Sequence, residues 1–452
     1  MLTELKNRDF IEKTVHIMIP VILQQLISVG INFLDNVMIG PFGEYQISSV
    51  SFGNQFYNLF RFVCMGLGSG AIVMSAQYWG AKEYSKLKTV AAIALRLTFF
   101  LSLVFSVMSI AFPKAVLRLY TDDPLTIAAG ISYVRLIGWT YVISGLSSSA
   151  TYLLRSTGHV KVPLISSIIA LFLNLFFNWV FIYGKLGAPR MEATGAAVGT
   201  VIARAFEFLL IFGYFMLKDE KFGFRFKHFA LRGAEIRKTY MRYSLPVLVS
   251  DTLLGVGISV VSSVLGHIGA DVSAANAIVA SADQLITIPK MGMAGAAGVI
   301  IGNTVGEGDR ERARREGAAY SFIGTILGLL ASGVYLLLRK PYISLYSIDP
   351  GTVDLAMQFF MMYVIMSPLQ TLSYTLSKGV LRAGGDTKFL LWGDIILLWA
   401  ISIPLGWLGA FVWHLPIFWT YFLLKMEYGL KSIICLIRFL TGKWIREVNV
   451  ET

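Results

Sequence analysis

The chain has 452 residues, of which 56% are hydrophobic and only 15% are charged, and its mean hydropathy is +0.66. Soluble domains carry about 25% charged residues, so this composition excludes a soluble globular protein and indicates a membrane protein. The net charge of +12 does not require a nucleic-acid partner, because cytoplasmic loops of membrane proteins are themselves rich in Lys and Arg.

Twelve apolar segments are long enough to cross a bilayer, whose hydrocarbon core of about 30 Å needs about 20 helical residues. The first segment is too long for a signal-peptide core and lacks a small-residue cleavage site, so we expect it to be retained. The sequence therefore predicts an all-α polytopic membrane protein with twelve transmembrane helices. Numbered in chain order, predicted spans 1 to 12 cover residues 15–39, 47–76, 89–113, 124–153, 162–184, 192–217, 240–267, 272–303, 316–338, 351–381, 389–408 and 411–437.

The distribution of Lys and Arg between the loops predicts the orientation of the chain. If the N-terminus is cytoplasmic, the inside segments hold 25 of the 39 basic residues and the outside loops hold 6. An excess of basic residues marks the cytoplasmic side. We therefore expect a multi-pass protein of the inner (cytoplasmic) cell membrane with both termini in the cytoplasm.

The second half of the chain repeats the first. Three stretches of the first half align with later stretches at offsets of 226, 226 and 227 residues. The aligned pairs are PVILQQLISVGINFLDNVMIG (20–40) with PVLVSDTLLGVGISVVSSVLG (246–266), MGLGSGAIVMSAQYWGAKE (65–83) with MGMAGAAGVIIGNTVGEGD (291–309), and LRSTGHVK (154–161) with LRAGGDTK (381–388). Each half holds an even number of spans, so both halves begin on the same side of the membrane.

This repeat predicts two pseudo-symmetric six-helix lobes around a central cavity. We place the N-terminal lobe at 1–217, a basic cytoplasmic linker at 218–242, and the C-terminal lobe with its short cytoplasmic tail at 243–452. Transporters built from parallel repeats bind substrate at the repeat interface and move one repeat against the other. The arrangement therefore favours alternating access.

The sequence contains no signature of an enzyme. Its 2 cysteines and 5 histidines show no metal-ligand spacing, and no HExxH, GxSxG or Walker A pattern is present. We therefore expect neither enzymatic activity nor a bound cofactor.

Asp35 lies in an otherwise apolar span, where an ionisable side chain costs about 2.5–3.5 kcal/mol on insertion scales. It lies about 8 Å from the outer end of span 1, at about 1.5 Å per residue. Asn174 and Asn178 of span 5 and Thr200 of span 6 fall at the same depth. Carboxylate, amide and hydroxyl oxygens are ligands for hard cations, so these side chains could bind Na⁺, or Asp35 could take a proton. Ordinary interhelical hydrogen bonding is an open alternative.

Motifs in both halves resemble the multidrug and toxic compound extrusion (MATE) family. In chain order they are LDNVMIG, AQYWGAK, LLRSTGHVKVP, NLFFNWVFIYG, TGAAVGT and LRAGGDTK. The resemblance, which is closest to prokaryotic members, implies a two-lobe antiporter that exports organic, often cationic and amphipathic, drugs in exchange for inward H⁺ or Na⁺. We expect it to function as a monomer in the lipid bilayer.

The resemblance also implies the position of the coupling site. An aspartate in the first helix with polar partners on helices five and six matches Asp35, Asn174, Asn178 and Thr200, and the Ala196 carbonyl is a further candidate ligand. In another branch of the family the acids lie in the second lobe. Here Thr371 occupies the position of one of those acids, so the resemblance favours a coupling site in the first lobe.

Several polar residues are predicted to line the substrate cavity because they lie on helices that should face it. Aromatic rings and Met side chains would complete an adaptable surface for organic cations. The predicted polar set is Gln25, Asn54, Arg61, Asp251, Gln284 and Lys290.

The sequence leaves more than one function open. The main alternative function is a lipid or lipid-linked oligosaccharide flippase of related two-lobe design, which should have an Arg-rich cavity; a channel or an enzyme is less favoured.

Helical spacing further predicts two intrahelical ion pairs, Arg204–Glu207 and Glu427–Lys431.

Overall fold

The structure is a computed structural model that describes residues 2–346 and 348–448. All regular secondary structure in these residues is helical, and no strand occurs among them. A helix satisfies its backbone hydrogen bonds internally, which hydrocarbon surroundings require. The predicted all-α class is confirmed.

Every predicted span corresponds to one helix or to two consecutive helices. Those of the first half are Arg8–Ile39, Glu44–Gly80, Tyr84–Ala111, Pro124–Gly138 with Thr140–Ser156, Lys161–Tyr183 and Glu192–Leu217. Those of the second half are Ala234–Ile268, Ala270–Ile286 with Ile288–Gly306, Arg310–Ile343, Pro350–Leu381, Thr387–Phe411, and Ile417–Lys425 with Glu427–Thr441. A short helix at Leu2–Lys6 precedes the first span, and a short helix at Pro113–Arg118 and 3₁₀ turns at Gly40–Phe42 and Phe226–Ala230 lie between later ones.

In the described part of the chain, 9 helices are long and apolar enough to cross a membrane. Two further spans are bent pairs: span 4 bends by 46° at Trp139 and span 8 by 42° at Thr287, and counting each pair as one span gives 11. Predicted span 12 is divided between two helices of 9 and 15 residues on either side of Met426.

Spans 10 and 11 each contain a π-helical segment. These segments are Thr375–Leu381 and Ile395–Ser402. A π-helical turn widens the helix locally and shifts the direction of the side chains that follow, and such turns are frequent at functional sites. The first segment includes Lys378, which pairs with a buried carboxylate.

The chain forms two compact units. The N unit comprises Leu23–Ser75 and Glu83–Ser244, and the C unit comprises Met1–Ile22, Ala76–Lys82 and Leu245–Thr452. Residues 1–22 and 76–82, which lie within the predicted N-terminal lobe, thus group with the C unit.

Each unit has its own aromatic core. In the N unit, the rings of Phe60 and Tyr141 pack edge to face with their centroids 4.8 Å apart. In the C unit, Phe359 and Tyr421 stack with their centroids 3.8 Å apart. All four side chains are almost fully buried. These cores fix the helices that hold the buried polar residues of each unit.

Candidate functional site

The residues predicted to form a cation site lie together in the N unit. Asp35 comes from span 1, Asn174 and Asn178 come from adjacent turns of span 5, and Thr200 comes from span 6. Asp35, Asn174 and Asn178 are only 6%, 2% and 0% exposed. Buried polar groups depend on one another for hydrogen bonds, so these helices are joined by polar contacts in an otherwise apolar setting.

A chain of hydrogen bonds links the four side chains. The Asn178 amide Nδ2 donates to Asp35 Oδ1 at 2.6 Å and to Asn174 Oδ1 at 3.3 Å. The Asn174 amide Nδ2 in turn donates to Thr200 Oγ1 at 3.3 Å. An amide hydrogen bond to a carboxylate is charge-assisted and stabilises the ionised form. The arrangement therefore connects span 1 to span 5 through the carboxyl group of Asp35.

Two glycines bring span 6 close to span 5. Gly195 and Gly199 lie four residues apart on one face of the helix, a small-residue spacing that allows transmembrane helices to approach closely. A Cβ at Gly199 would lie 3.0 Å from the backbone nitrogen of Asn178, and a Cβ at Gly195 would lie 2.5 Å from the carbonyl carbon of Phe181. The glycines thus set the distance at which Thr200 meets its partner in span 5.

One oxygen of this site has no hydrogen-bond donor. Asn178 Oδ1 is buried and, within residues 2–346 and 348–448, accepts no hydrogen bond. Leaving a buried acceptor unpaired costs about 1–3 kcal/mol, and a bound cation would remove that cost. Ala196, 1% exposed, lies one turn before Thr200. Asp35 is the single carboxylate among the four hydrogen-bonded side chains. No group of three or more acidic, His or Cys side chains that could hold a metal occurs in the described residues.

A half-buried arginine, Arg204, lies near Asp35 and was not anticipated there. Arg204 donates to Glu207 at 2.6 Å, which confirms the predicted intrahelical pair, and Glu207 also accepts from the Ser167 hydroxyl at 3.2 Å. The guanidinium interacts electrostatically with Asp35 as well. The signal was available in the sequence, because Arg204 lies four residues after Thr200 and so on the same helical face.

Comparison with known proteins identifies the family. The MatE family model matches residues 20–180 and 246–408, which together exceed half of the chain. The chain belongs to the MatE family. The two matched blocks of this MatE protein begin at Pro20 and Pro246, as expected for the tandem repeat.

Relatives of this MatE protein include the probable multidrug resistance protein YoeA of Bacillus subtilis (strain 168), 24% identical over 90% of this chain and 88% of the relative. The probable multidrug resistance protein NorM of Thermotoga maritima is 21% identical over 96% of this chain and 93% of the relative. A crystal structure of a mutant of the Vibrio cholerae MATE transporter VcmN is similar at a TM-score of 0.87 and 14% identity, covering 95% of this chain and 96% of that one. The structural likeness confirms the predicted fold of twelve helices in two lobes.

Three of the predicted cavity residues of this MatE protein lie in the N unit. Asn54 is half-buried and accepts a hydrogen bond from the Tyr133 hydroxyl at 3.1 Å. Gln25 is half-buried, and Arg61 is exposed. None of the three joins the Asp35 set by a hydrogen bond in the described residues. Their role in substrate binding stays a prediction.

The other three predicted cavity residues lie in the C unit. Asp251 is 2% exposed and forms ion pairs with Lys378 and with Arg382, whose Nη2 lies 3.1 Å from Asp251 Oδ1. Lys290 is also buried, and its Nζ lies 5.4 Å from the centroid of the Tyr374 ring. Gln284 is exposed. Asp251 thus already has two basic partners within its own unit, which sequence reasoning did not find.

A second buried ion pair in the C unit overturns one expected contact. Lys431 pairs with Asp394, which also accepts from the Ser250 hydroxyl. The predicted pair of Lys431 with Glu427 is wrong, since the described structure has no ion pair between them. A buried carboxylate on another helix competes better for the ammonium group than a partly buried one on the same helix, because an uncompensated buried charge is costly.

Proposed function

We propose that this protein is a secondary antiporter that exports organic compounds in exchange for inward H⁺ or Na⁺, and that the ion binds at Asp35. The observation that supports this best is the buried carboxylate of Asp35, which accepts a hydrogen bond from the Asn178 amide, while the Oδ1 of that amide has no hydrogen-bond donor in the described residues. Relatives named multidrug resistance proteins support small organic, drug-like substrates, and we propose that these include amphipathic cations.

The hydrogen bonds suggest how ion binding acts on the helices. In the described arrangement Asp35 accepts the Asn178 N–H. A proton on Asp35 would remove the charge that this N–H contacts. A sodium ion would require oxygens, and rotation of the Asn178 amide would present its unpaired Oδ1, with Asn174 Oδ1, Thr200 Oγ1 and the Ala196 carbonyl as further candidate ligands. Either ion therefore weakens the contact between spans 1 and 5.

We connect the hydrogen bond between spans 1 and 5 to alternating access. A ligand shifts a conformational equilibrium only as far as it binds one state more tightly than the other. Loading Asp35 replaces the hydrogen bond between spans 1 and 5 with a contact to the ion. If the inward-facing and outward-facing conformations differ in this hydrogen bond, they also differ in their affinity for the ion. We propose that this difference drives the exchange of drug for ion.

The proposal includes the membrane orientation and the functional unit. We propose that the protein lies in the cytoplasmic membrane with both termini in the cytoplasm, as the distribution of basic residues indicates. The Asp35 site is assembled within one unit of a single chain, which supports function as a monomer.

Dye efflux from cells that lack their main drug pumps tests the role of Asp35. Expression of the protein should lower ethidium accumulation, and Asp35→Asn should abolish this effect while the protein still reaches the membrane. Asp122→Asn, in an exposed loop, is the matched control and should retain efflux. Efflux by Asp35→Asn at the level of the control would refute the assignment.

A further inference from the structure

A cavity of about 450 Å³ lies in the N unit, where span 3 meets the end of the basic linker. One wall is apolar and the other is basic. The lining residues are Ile93, Arg96, Leu97, Phe100, Arg232, Gly233, Ala234 and Arg237.

Two of the three arginines lie at a shallower predicted membrane depth than the apolar wall. Arg232 and Arg237 flank the start of helix Ala234–Ile268, at the predicted cytoplasmic boundary. Phe100 lies on span 3, one turn or about 6 Å deeper than Arg96, and its side chain is 62% exposed. The cavity therefore runs from the level of lipid headgroups toward the hydrocarbon.

The arginine in span 3 is held in place by the linker. Arg96 donates through Nη2 to the Leu231 carbonyl at 2.7 Å and through Nε to the Ala92 carbonyl at 3.1 Å. Both bonds are to neutral carbonyls, so the guanidinium keeps its positive charge uncompensated. The contact also fixes the last part of the linker against span 3.

The basic wall has no acidic partner of its own. Among the described residues, no carboxylate forms an ion pair with Arg96, Arg232 or Arg237, and the side chains of the last two are exposed and form no hydrogen bonds. Gly233 and Ala234 add the N-terminus of a 35-residue helix, whose first backbone N–H groups have no intrahelical acceptor and favour anions. Glu235 lies nearby but does not line the cavity.

We propose that this cavity binds an anionic phospholipid of the cytoplasmic leaflet, with the phosphate on the arginines and an acyl chain along Ile93, Leu97 and Phe100. Basic pockets beside transmembrane helices on the cytoplasmic side suit anionic headgroups. The apolar wall selects a lipid over a free phosphate, which would leave that wall in contact with water. A bound lipid would join the linker to span 3, independently of the ion site at Asp35.

Native mass spectrometry of the full-length protein in detergent tests this site. The protein is titrated with phosphatidylglycerol, with phosphatidylcholine as the uncharged-headgroup comparison, and with inorganic phosphate as a competitor. The variant is Arg232→Gln with Arg237→Gln, which removes no hydrogen bond or ion pair of the described structure. The control, Lys221→Gln with Lys227→Gln, removes the same charge from exposed positions of the same linker.

We expect phosphatidylglycerol to bind more tightly than phosphatidylcholine. The arginine variant, which removes two charges, should weaken its binding by about 30-fold, while the lysine control binds as the wild type does. Arg96→Gln should also weaken binding. Equal affinity of the arginine variant and the lysine control would overturn the site. Equal binding of the two lipids, or full displacement by inorganic phosphate, would overturn the assignment of an anionic lipid.

Discussion

Replacing Gly199 with Ala is expected to damage the cation site without changing any of its ligands. The added Cβ would lie 3.0 Å from the backbone nitrogen of Asn178 and closer still to its amide oxygen, so span 6 or the amide must move. Over-packing costs about 1–3 kcal/mol, whereas Gly to Ala within a helix gains about 0.8–1 kcal/mol. The net loss of stability is therefore at most about 2 kcal/mol, but the amide is displaced from Asp35.

Gly213→Ala in the same helix is the matched control, because nothing lies within 4 Å of the Cβ that it would add. The helix-propensity gain is common to both variants, so the difference in their unfolding free energies isolates the packing cost of about 1–3 kcal/mol. Thermal unfolding in detergent should rank Gly199→Ala below Gly213→Ala, and dye efflux should fall in Gly199→Ala alone. Equal unfolding temperatures and equal efflux would refute the claim that Gly199 sets the distance between spans 5 and 6.

Three further substitutions test other contacts. Asp251→Asn leaves the buried Arg382 and the partly buried Lys378 without their carboxylate and should destabilise the protein by about 3–5 kcal/mol; an unchanged unfolding temperature would contradict these ion pairs. Asn178→Asp adds a second carboxylate to the cation site and should increase the response of dye exchange to external Na⁺ in proteoliposomes, whereas an unaltered response would count against that residue as a ligand. The Thr126 hydroxyl and backbone N–H donate to Asp123 and hold the pKa of this carboxyl below its usual range. The carboxylate therefore stabilises the folded protein above its unfolded-state pKa, and this stabilisation is lost as the pH falls through its folded-state pKa. Asp123→Ala should thus unfold at a lower temperature than Asp122→Ala at neutral pH, and the two unfolding temperatures should converge in acid. The same difference in unfolding temperature at both pH values would contradict this role of Asp123.

The sequence alone predicted the features that depend on the length of a helix and on the membrane depth of a side chain. Apolar runs predicted the helices because a fixed rise per residue must cross a fixed thickness. The same arithmetic placed Asp35, Asn174, Asn178 and Thr200 at one level, and the structure joins all four by hydrogen bonds. The bends at spans 4 and 8 were not predicted, since a helix can be interrupted without a change in its apolar character.

Contacts between helices distant in sequence were beyond sequence reasoning. Asp251 pairs with Lys378 and Arg382, which are 127 and 131 residues away, and no local pattern indicates such a partner. The predicted pair of Glu427 with Lys431 was wrong for the same reason: the intrahelical spacing is visible, but such a pair is worth only about 0.2–0.5 kcal/mol. A buried carboxylate elsewhere in the fold therefore decides where the lysine points.

The central claim is that an ion bound at Asp35 drives the exchange. Purified protein in proteoliposomes loaded with dye, given either a pH gradient or a sodium gradient alone, tests it most directly. The account predicts that at least one gradient drives dye exchange in the wild type and in Asp122→Asn, and that neither does so in Asp35→Asn. Gradient-driven exchange of undiminished rate in Asp35→Asn would contradict it.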